Sequence, residues 1–235
     1  MKGKLIGIGV GPGDPELMTL KAVRAIEQAD VIAVPVKCQG EKSVAFEIVK
    51  GACSIKDQTI LPVIFSMSRE KQERIQSRKE AVAAVKKELE QGHQVAMIAL
   101  GDIGIYSTFM YVKKELEKEF STEMIPGIPS FCAGASQALI SIVEGRESFV
   151  VMPSYKNASQ LGQALEQYHT VIVMKAGRKI NEIYKILKEK GYLGSTSVIA
   201  NCGMPSEYIG RILPEQEYGY FTTLIIKQPE KMEIR

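Results

Sequence analysis

The chain has 235 residues, of which 45% are apolar and 24% are charged, and its 30 basic and 27 acidic side chains leave a net charge of +3. This composition is typical of a globular protein with a substantial core. The small net charge and the lack of a basic run interleaved with aromatic residues argue against a nucleic-acid partner. No apolar run is long enough for a membrane span, and no signal-peptide cleavage site precedes the first strand-like segment. We therefore expect a cytoplasmic protein that does not associate with membranes.

The cysteines give no sign of a metal site. They are scattered along the chain, at Cys38, Cys53, Cys132 and Cys202, and no two of them form a Cys-x-x-Cys pair. The two histidines have no cysteine beside them in the sequence. Because structural zinc sites follow characteristic ligand spacings, we expect reduced thiols and no protein-bound metal.

Strand-like and helical patterns alternate in the first half of the chain. Leu5 to Val10 and Val31 to Val36 are continuous runs rich in β-branched residues, typical of strands buried on both faces. Further strands are predicted at 59–65 and 95–100. Apolar residues at helical spacing predict the intervening helices, at 17–29, 45–49, 68–90 and 107–120. This succession predicts a parallel sheet with crossover helices.

The pattern restarts after a turn predicted at 126–129, where two prolines and a glycine stop any helix or central strand. A helix capped by Ser130 is predicted at 130–143. The remaining predicted elements are a helix at 179–190 and strands at 148–152, 170–174, 196–200 and 221–227. We place the domain boundary between residues 121 and 126, which gives α/β domains at 1–122 and 123–235. Two α/β domains joined by a short linker leave a cleft between them, a favoured place for a ligand.

A glycine-rich turn, Gly7 to Asp14, lies between the first strand and the first helix, as in a dinucleotide-binding loop. The G-x-G-x-x-G spacing fails, because counting from Gly7 ends on Pro12 and counting from Gly9 ends on Asp14. A proline has no N–H to offer a pyrophosphate, and a carboxylate repels one. The turn suits a cationic or zwitterionic ligand better, although glycines that only allow a sharp turn would give the same pattern.

Five segments resemble, in order, the motifs of the tetrapyrrole (corrin and porphyrin) methyltransferases. They are 9–22 (GVGPGDPELMTLKA) with 28–32 (QADVI), 100–107 (LGDIGIYS), 125–130 (IPGIPS), 171–175 (VIVMK) and 221–226 (FTTLII). Within this family, 62–67 (PVIFSM), 106–109 (YSTF) and 129–131 (PSF) are most similar to the branch that methylates C-20 of precorrin-2 or cobalt-factor II. Pro35 stands where the uroporphyrinogen branch has an aspartate, and Ile103 stands where the 100–107 loop usually has a proline.

The resemblance implies two α/β domains in the tetrapyrrole methylase fold, with a cofactor cleft between them. It also implies S-adenosylmethionine as methyl donor, a small-molecule tetrapyrrole substrate and a homodimer. The implied cofactor contacts are Pro12, Leu100, Gly101, Asp102, Ile105, Tyr106, Ser130, Met174, Ala200, Gly203 and Thr222. Ile105 and Met174 would serve equally well as core residues. The sulfonium is positive, and glycine-rich turns expose the backbone carbonyls that suit it.

Methyl transfer would proceed by in-line attack of a meso carbon of the macrocycle, with most of the acceleration coming from alignment of the reactants. No strong general base stands out; Asp14 is the candidate, and it is equally suited to cap the helix predicted to begin near Glu16. The substrate carboxylates could be met by basic residues that would otherwise be solvated, namely Lys37, Arg69, Lys71 and Arg74.

Three other functions are compatible with parts of the sequence. They are a dinucleotide-dependent reductase of the same pathway, a methyltransferase acting on a translation factor or ribosomal RNA, and a non-catalytic cofactor sensor. The broken glycine spacing argues against the first and the near-neutral charge argues against an RNA substrate. Both the metal-free and the cobalt-containing macrocycle are compatible with the sequence.

Overall fold

The structure of the protein is a computed structural model that describes residues 2–153, 158–213 and 216–229. The chain divides into two compact α/β units, Met1–Pro129 and Ser130–Arg235. The division falls after Pro129 rather than after residue 122, because the segment after Phe120 adds a strand to the first sheet.

Strands and helices alternate along the first unit. In chain order they are β1 (Lys4–Gly9), α1 (Leu20–Glu27), β2 (Val31–Val36), α2 (Val44–Ala52), β3 (Thr59–Ile64), α3 (Lys71–Glu90), β4 (Gln94–Ala99), α4 (Phe109–Leu116) and β5 (Ser121–Ile125). The strands form a parallel sheet in the order β3-β2-β4-β1-β5. The predicted parallel sheet with crossover helices is confirmed.

The helices of the first unit cover both faces of this sheet. Leu5 of β1 packs in the cluster built by α3 and α4, whereas Ile6 and Ile8 pack in the cluster built by α1 and α2. The chain therefore leaves β1 and β4 on opposite faces and towards opposite edges of the sheet. The topological switch point lies between these two neighbouring strands, and open α/β sheets bind ligands at the carboxyl ends of the strands that flank it.

The first helix begins later than the sequence predicted. The Asp14 carboxylate accepts a hydrogen bond from the Glu16 N–H at 2.9 Å and caps a short 3₁₀ turn. The hydroxyl of Thr19 then caps α1 by accepting from the Ala22 N–H at 3.2 Å. Leu20, the first residue of α1, is 74% exposed.

β5 is an element that the sequence analysis missed. It is an edge strand paired only on its β1 side, and its residues 121–124 are at least partly exposed. Polar side chains at Ser121, Thr122 and Glu123 therefore occur where a central strand would show an apolar run.

Glu123 on β5 connects three elements by ion pairs. Its carboxylate lies 2.5 Å from Lys21 Nζ on α1 and 2.7 Å from Lys4 Nζ on β1. Hydrogen bonds from Lys21, which has the larger effect, and from Lys4 lower the pKa of Glu123 from 4.5 to about 2. Because the folded pKa is the lower one, the stabilisation is fully present above pH 4.5 and is lost as the pH falls through about 2.

Glu123→Gln is therefore expected to lower the free energy of unfolding at pH 7 by about 1 kcal/mol, because the pairs are partly solvated. Most of this difference should disappear below about pH 2, where the carboxyl of Glu123 is protonated in both the folded and the unfolded protein. Urea denaturation at several pH values measures the effect, and Glu189→Gln on the exposed face of α7 (Ile180–Lys190) is the control. An equal loss of stability at every pH would contradict the assignment.

The second unit contains a mixed sheet. Its elements are α5 (Ser130–Gln137), β6 (Phe149–Pro153), α6 (Ala158–Gln167), β7 (Thr170–Met174), α7, β8 (Thr196–Ala200), β9 (Tyr208–Gly210) and β10 (Thr222–Lys227). The strand order is β6-β7-β10-β8-β9, with β6 parallel to β7 and with β10 antiparallel to both of its neighbours. α6 and α7 pack on one face. α5 packs on the other, where a Cβ at Gly134 would lie 2.7 Å from the Ile199 side chain.

Several boundaries in the second unit differ from the sequence predictions. α5 ends at Gln137 rather than at residue 143, and Ser130 is its first residue rather than its cap. α6 and β9 were not predicted; β9 has only 3 residues, too few for a periodic pattern. None of the helices in the described part of the chain has the length and hydropathy that a bilayer-spanning segment needs.

Candidate functional site

Glycine turns follow β1 and β4, the two strands at the switch point. The Gly11 N–H donates to the Gly101 carbonyl at 3.2 Å, and the Gly101 N–H donates to the Gly11 carbonyl at 2.7 Å. Both residues have left-handed backbones, with φ of +78° and +73°, which glycine adopts without steric cost. These two hydrogen bonds join the turns on either side of the switch point.

A third glycine, Gly127 in the turn after β5, packs against the same backbone. A Cβ at Gly9 would lie 2.6 Å from Gly127 N and 2.7 Å from Gly101 O, closer than side-chain carbons approach in folded proteins. Gly9 lies within β1, so a sharp turn does not explain its identity. The close approach of three backbone segments does explain it, and only glycine at Gly9 and Gly127 permits that approach.

Asp102 holds two of these turns together. Its Oδ1 accepts from the Gly104 N–H at 2.8 Å, within its own loop, and its Oδ2 accepts from the Gly127 N–H at 3.0 Å. Each carboxylate oxygen can accept a further hydrogen bond. The geometry thus gives Asp102 a positioning role, and its direct contact with a cofactor stays a prediction.

The structure shows the surroundings of Pro12 and Asp14 in the first turn. Pro12 is buried and Asp14 is partly exposed. The N-cap assignment of Asp14 is confirmed by its hydrogen bond to the Glu16 N–H, although the capped element is a 3₁₀ turn rather than α1. A role for Asp14 as a base stays a prediction.

The loop after β4 carries most of the other predicted residues of the first unit. Leu100 and Ile105 are partly buried, and Tyr106 is 47% exposed with φ of +51°. Ile103, which replaces the usual proline, is 2% exposed and packs in the cluster of α3 and α4. This packing attaches the loop to the core of the first unit.

The predicted residues of the second unit gather at one end of its sheet. Ala200 lies opposite Thr222, and Met174 lies opposite Thr223. Gly203 follows β8 with φ of +70°. The structure therefore brings the predicted site residues together in two groups, one on each unit, and Ser130 stands at the start of α5.

Two of the four candidate basic residues already bind nearby groups of the chain. Lys37 Nζ lies 2.9 Å from Glu41 Oε1, and this hydrogen bond lowers the pKa of Glu41. Arg74 donates to the carbonyls of Ser68 and Arg69, both at 2.7 Å. Arg69 itself is exposed, as is Lys71, and these two can meet a ligand without breaking an ion pair given by the structure.

Two residues that the sequence analysis did not select stand in the second group. Lys175 and Asn201 directly follow β7 and β8, and both have left-handed backbones, with φ of +60° and +52°. Asparagine adopts this conformation more readily than most residues, but lysine gives no such signal.

The thiols and acidic groups show no metal-binding arrangement in residues 2–153, 158–213 and 216–229, where no three His, Cys, Asp or Glu side chains cluster suitably. Cys53 and Cys202 are buried, and burial raises the pKa of each thiol to about 11. A thiol with such a pKa stays protonated at neutral pH and is a poor nucleophile.

The chain is thus a two-unit α/β protein, with a doubly wound sheet whose glycine turns are joined at its switch point, followed by a unit with a mixed sheet. The family described as Tetrapyrrole (Corrin/Porphyrin) Methylases matches residues 4–213. The chain belongs to this family, as its motifs predicted.

Curated relatives match over most of their length. The chain is 37% identical over 188 residues to the probable cobalt-precorrin-2 C(20)-methyltransferase of Methanocaldococcus jannaschii, covering 80% of this chain and 78% of the relative. It is 29% identical to the cobalt-precorrin-2 C(20)-methyltransferase of Salmonella typhimurium, covering 97% and 98%. It is 30% identical to the precorrin-2 C(20)-methyltransferase of a Sinorhizobium species, covering 95% of each.

Solved structures share the fold. A cobalt precorrin-4 methyltransferase superposes with a TM-score of 0.73 at 18% identity, covering 95% of this chain and 94% of that one. The methyltransferase CobJ superposes with a TM-score of 0.71 at 18% identity, covering 96% and 94%. The predicted fold class is confirmed.

Proposed function

We propose that the protein is an S-adenosylmethionine-dependent C-methyltransferase that methylates C-20 of precorrin-2 or cobalt-factor II during corrin ring biosynthesis. The observation that carries this proposal is the similarity, at 29% to 37% identity over most of the chain, to three proteins named as C(20)-methyltransferases. Because their names include both precorrin-2 and cobalt-precorrin-2, both macrocycles are candidate substrates.

The residues at the switch point fit a cationic methyl donor better than a phosphate. Pro12 offers no N–H, and the carboxylates of Asp14 and Asp102 stand in the two turns after β1 and β4. S-adenosylmethionine would supply an electrophilic methyl group on a positive sulfonium. We assign its binding to the residues that the family resemblance implies, namely Pro12, Leu100, Gly101, Asp102, Ile105, Tyr106, Ser130, Met174, Ala200, Gly203 and Thr222.

The chain's own contribution to catalysis is mainly positioning. The Gly11–Gly101 hydrogen bonds and the Asp102 carboxylate fix the turns, so that bound reactants are held without a reorganisation of the backbone. We propose Asp14, partly exposed and three residues beyond Gly11, as the acceptor of the proton lost after transfer. No protein-bound metal is invoked in this mechanism.

Incubation with labelled S-adenosylmethionine and each macrocycle in turn tests the function. The expected product of one or both incubations carries one new methyl group at C-20, located by nuclear magnetic resonance, with one S-adenosylhomocysteine released per methyl. Uroporphyrinogen III serves as the comparison substrate and should not be methylated. Transfer to uroporphyrinogen III alone, or to none of the three compounds, would reject the C-20 assignment.

We also propose that the protein is a cytoplasmic homodimer, which rests on the family resemblance. Sedimentation velocity at several protein concentrations tests the assembly. A species of twice the protomer mass is expected at micromolar concentration, and a protomer-sized species throughout would contradict it.

A further inference from the structure

Lys175 occupies an unusual backbone position at the end of the second sheet. It directly follows Met174, the last residue of β7, and its φ of +60° is left-handed. This conformation is sterically unfavourable for a residue that carries a Cβ. Such strain persists only where the surrounding structure enforces it, and it is found preferentially at ligand-binding sites.

The surrounding structure does enforce it. The N–H after Lys175, that of Ala176, donates to the carbonyl of Thr222 at 2.9 Å. Thr222 is the residue that continuation of the β7–β10 register would place opposite Lys175, so this hydrogen bond lies just beyond the end of the paired strands. Ala176 is already helical and caps a short 3₁₀ turn, so the chain leaves the sheet at Lys175. Gly177 then packs so tightly on the carbonyls of Tyr218 and Gly219 that a Cβ would not fit.

Lys175 places a cation at the sheet end that carries the second group of predicted residues. Lys175 is partly buried, and its Nζ lies 5.3 Å from the centroid of the Tyr220 ring. Tyr220 is 37% exposed, and its ring packs edge-on against Phe221 with 5.3 Å between centroids. A lysine ammonium beside an exposed aromatic ring presents both a charge and an apolar surface.

We propose that Lys175 binds a carboxylate of the reaction partners, a role that rests on the proposed function of the chain. Both reactants offer this chemistry, since the tetrapyrrole carries several carboxylate side chains and S-adenosylmethionine carries the carboxylate of its methionine part. The left-handed backbone sets the direction of the side chain, and the Tyr220 ring contacts the ammonium. The strain at Lys175 is retained because glycine, which would relieve it, has no ammonium.

Lys175→Gly separates binding from folding, because glycine accepts the left-handed backbone without strain. The variant should therefore fold, with a thermal midpoint that is unchanged or raised. Its affinity for the carboxylate-bearing ligand should fall about tenfold, since a charged hydrogen bond is lost. Lys175→Arg, which keeps the cation, should recover most of this affinity.

Leu139→Gly is the matched control. Leu139 also has a left-handed backbone, with φ of +55°, but it is 92% exposed and follows α5 outside both groups of predicted residues. Relief of strain there should affect the thermal midpoint in the same direction as Lys175→Gly. It should leave the affinity for both ligands unchanged.

Two titrations identify the source of the carboxylate. S-adenosylhomocysteine is titrated by calorimetry, and uroporphyrin, a porphyrin with eight carboxylates, is titrated by fluorescence quenching. Weaker binding of one ligand by Lys175→Gly assigns the contact to that ligand, whereas affinities within about twofold of wild type for both would overturn the inference. If the wild-type protein transfers no methyl group but the variant still weakens a titration, the proposed function fails and the binding role of Lys175 stands.

Discussion

Gly127→Ala is expected to reduce kcat/KM for the tetrapyrrole about a hundredfold or more, because the added methyl group displaces the backbone of the proposed site. Its Cβ would overlap the carbonyl oxygen of Gly101 and lie 2.7 Å from that of Gly9. All of these atoms belong to backbone, so no side chain can rotate away. The three turns must separate, and overpacking of this kind costs about 2–3 kcal/mol of stability.

Gly194→Ala is the control for this substitution. A Cβ at Gly194 would meet nothing within 4 Å, and the residue does not have a left-handed backbone. Its effect on the free energy of unfolding should therefore stay within about 0.5 kcal/mol, with wild-type kcat/KM. Urea denaturation and steady-state kinetics measure both variants. Wild-type turnover by Gly127→Ala would show that the junction of the three turns is not part of the catalytic site.

The central strands could be predicted closely because burial on both faces gives a signal that is local in sequence. β2, β7 and β8 have the predicted bounds, and apolar and β-branched residues make up all of each strand except Ser197 of β8. β5 lacks this signal because it is an edge strand whose polar residues reach solvent, so the strand was not predicted. Helix ends were less well predicted, since α1 depends on a cap at Thr19 that follows a 3₁₀ turn.

The residues of the proposed site could be predicted only where they belong to motifs of neighbouring residues. The glycines of the turns after β1, β4 and β5 stand in motifs, so their importance could be inferred from sequence. The bond from Gly127 N–H to Asp102 joins residues 25 positions apart, and no spacing rule predicts it. The left-handed backbone of Lys175 is likewise set by contacts with the residues before β10, and a lysine carries no sign of it.

Asp102→Asn should lower the free energy of unfolding by about 2 kcal/mol. The substitution replaces one of the two accepting oxygens with an NH₂ donor, which cannot accept a hydrogen bond from a backbone N–H. The carboxylate accepts from Gly104 at 2.8 Å and from Gly127 at 3.0 Å. Asparagine has one carbonyl oxygen for the two N–H groups, so its NH₂ must face the other N–H. With the turns no longer held in register, we expect kcat/KM to fall about tenfold to a hundredfold.

Asp30→Asn makes the same chemical change at the opposite end of β4, where Asp30 Oδ2 accepts from the Gln94 N–H at 2.7 Å. It should cost some stability but leave kcat/KM unchanged, since asparagine can still accept this single bond. Hydrogen exchange separates the two roles of Asp102. Faster exchange of the Gly127 amide in Asp102→Asn is expected of a positioning residue, whereas weaker S-adenosylhomocysteine binding with unchanged exchange would make Asp102 a direct ligand instead. Because Gly127→Ala breaks the same junction, the double variant should lose less stability than the sum of the two single losses.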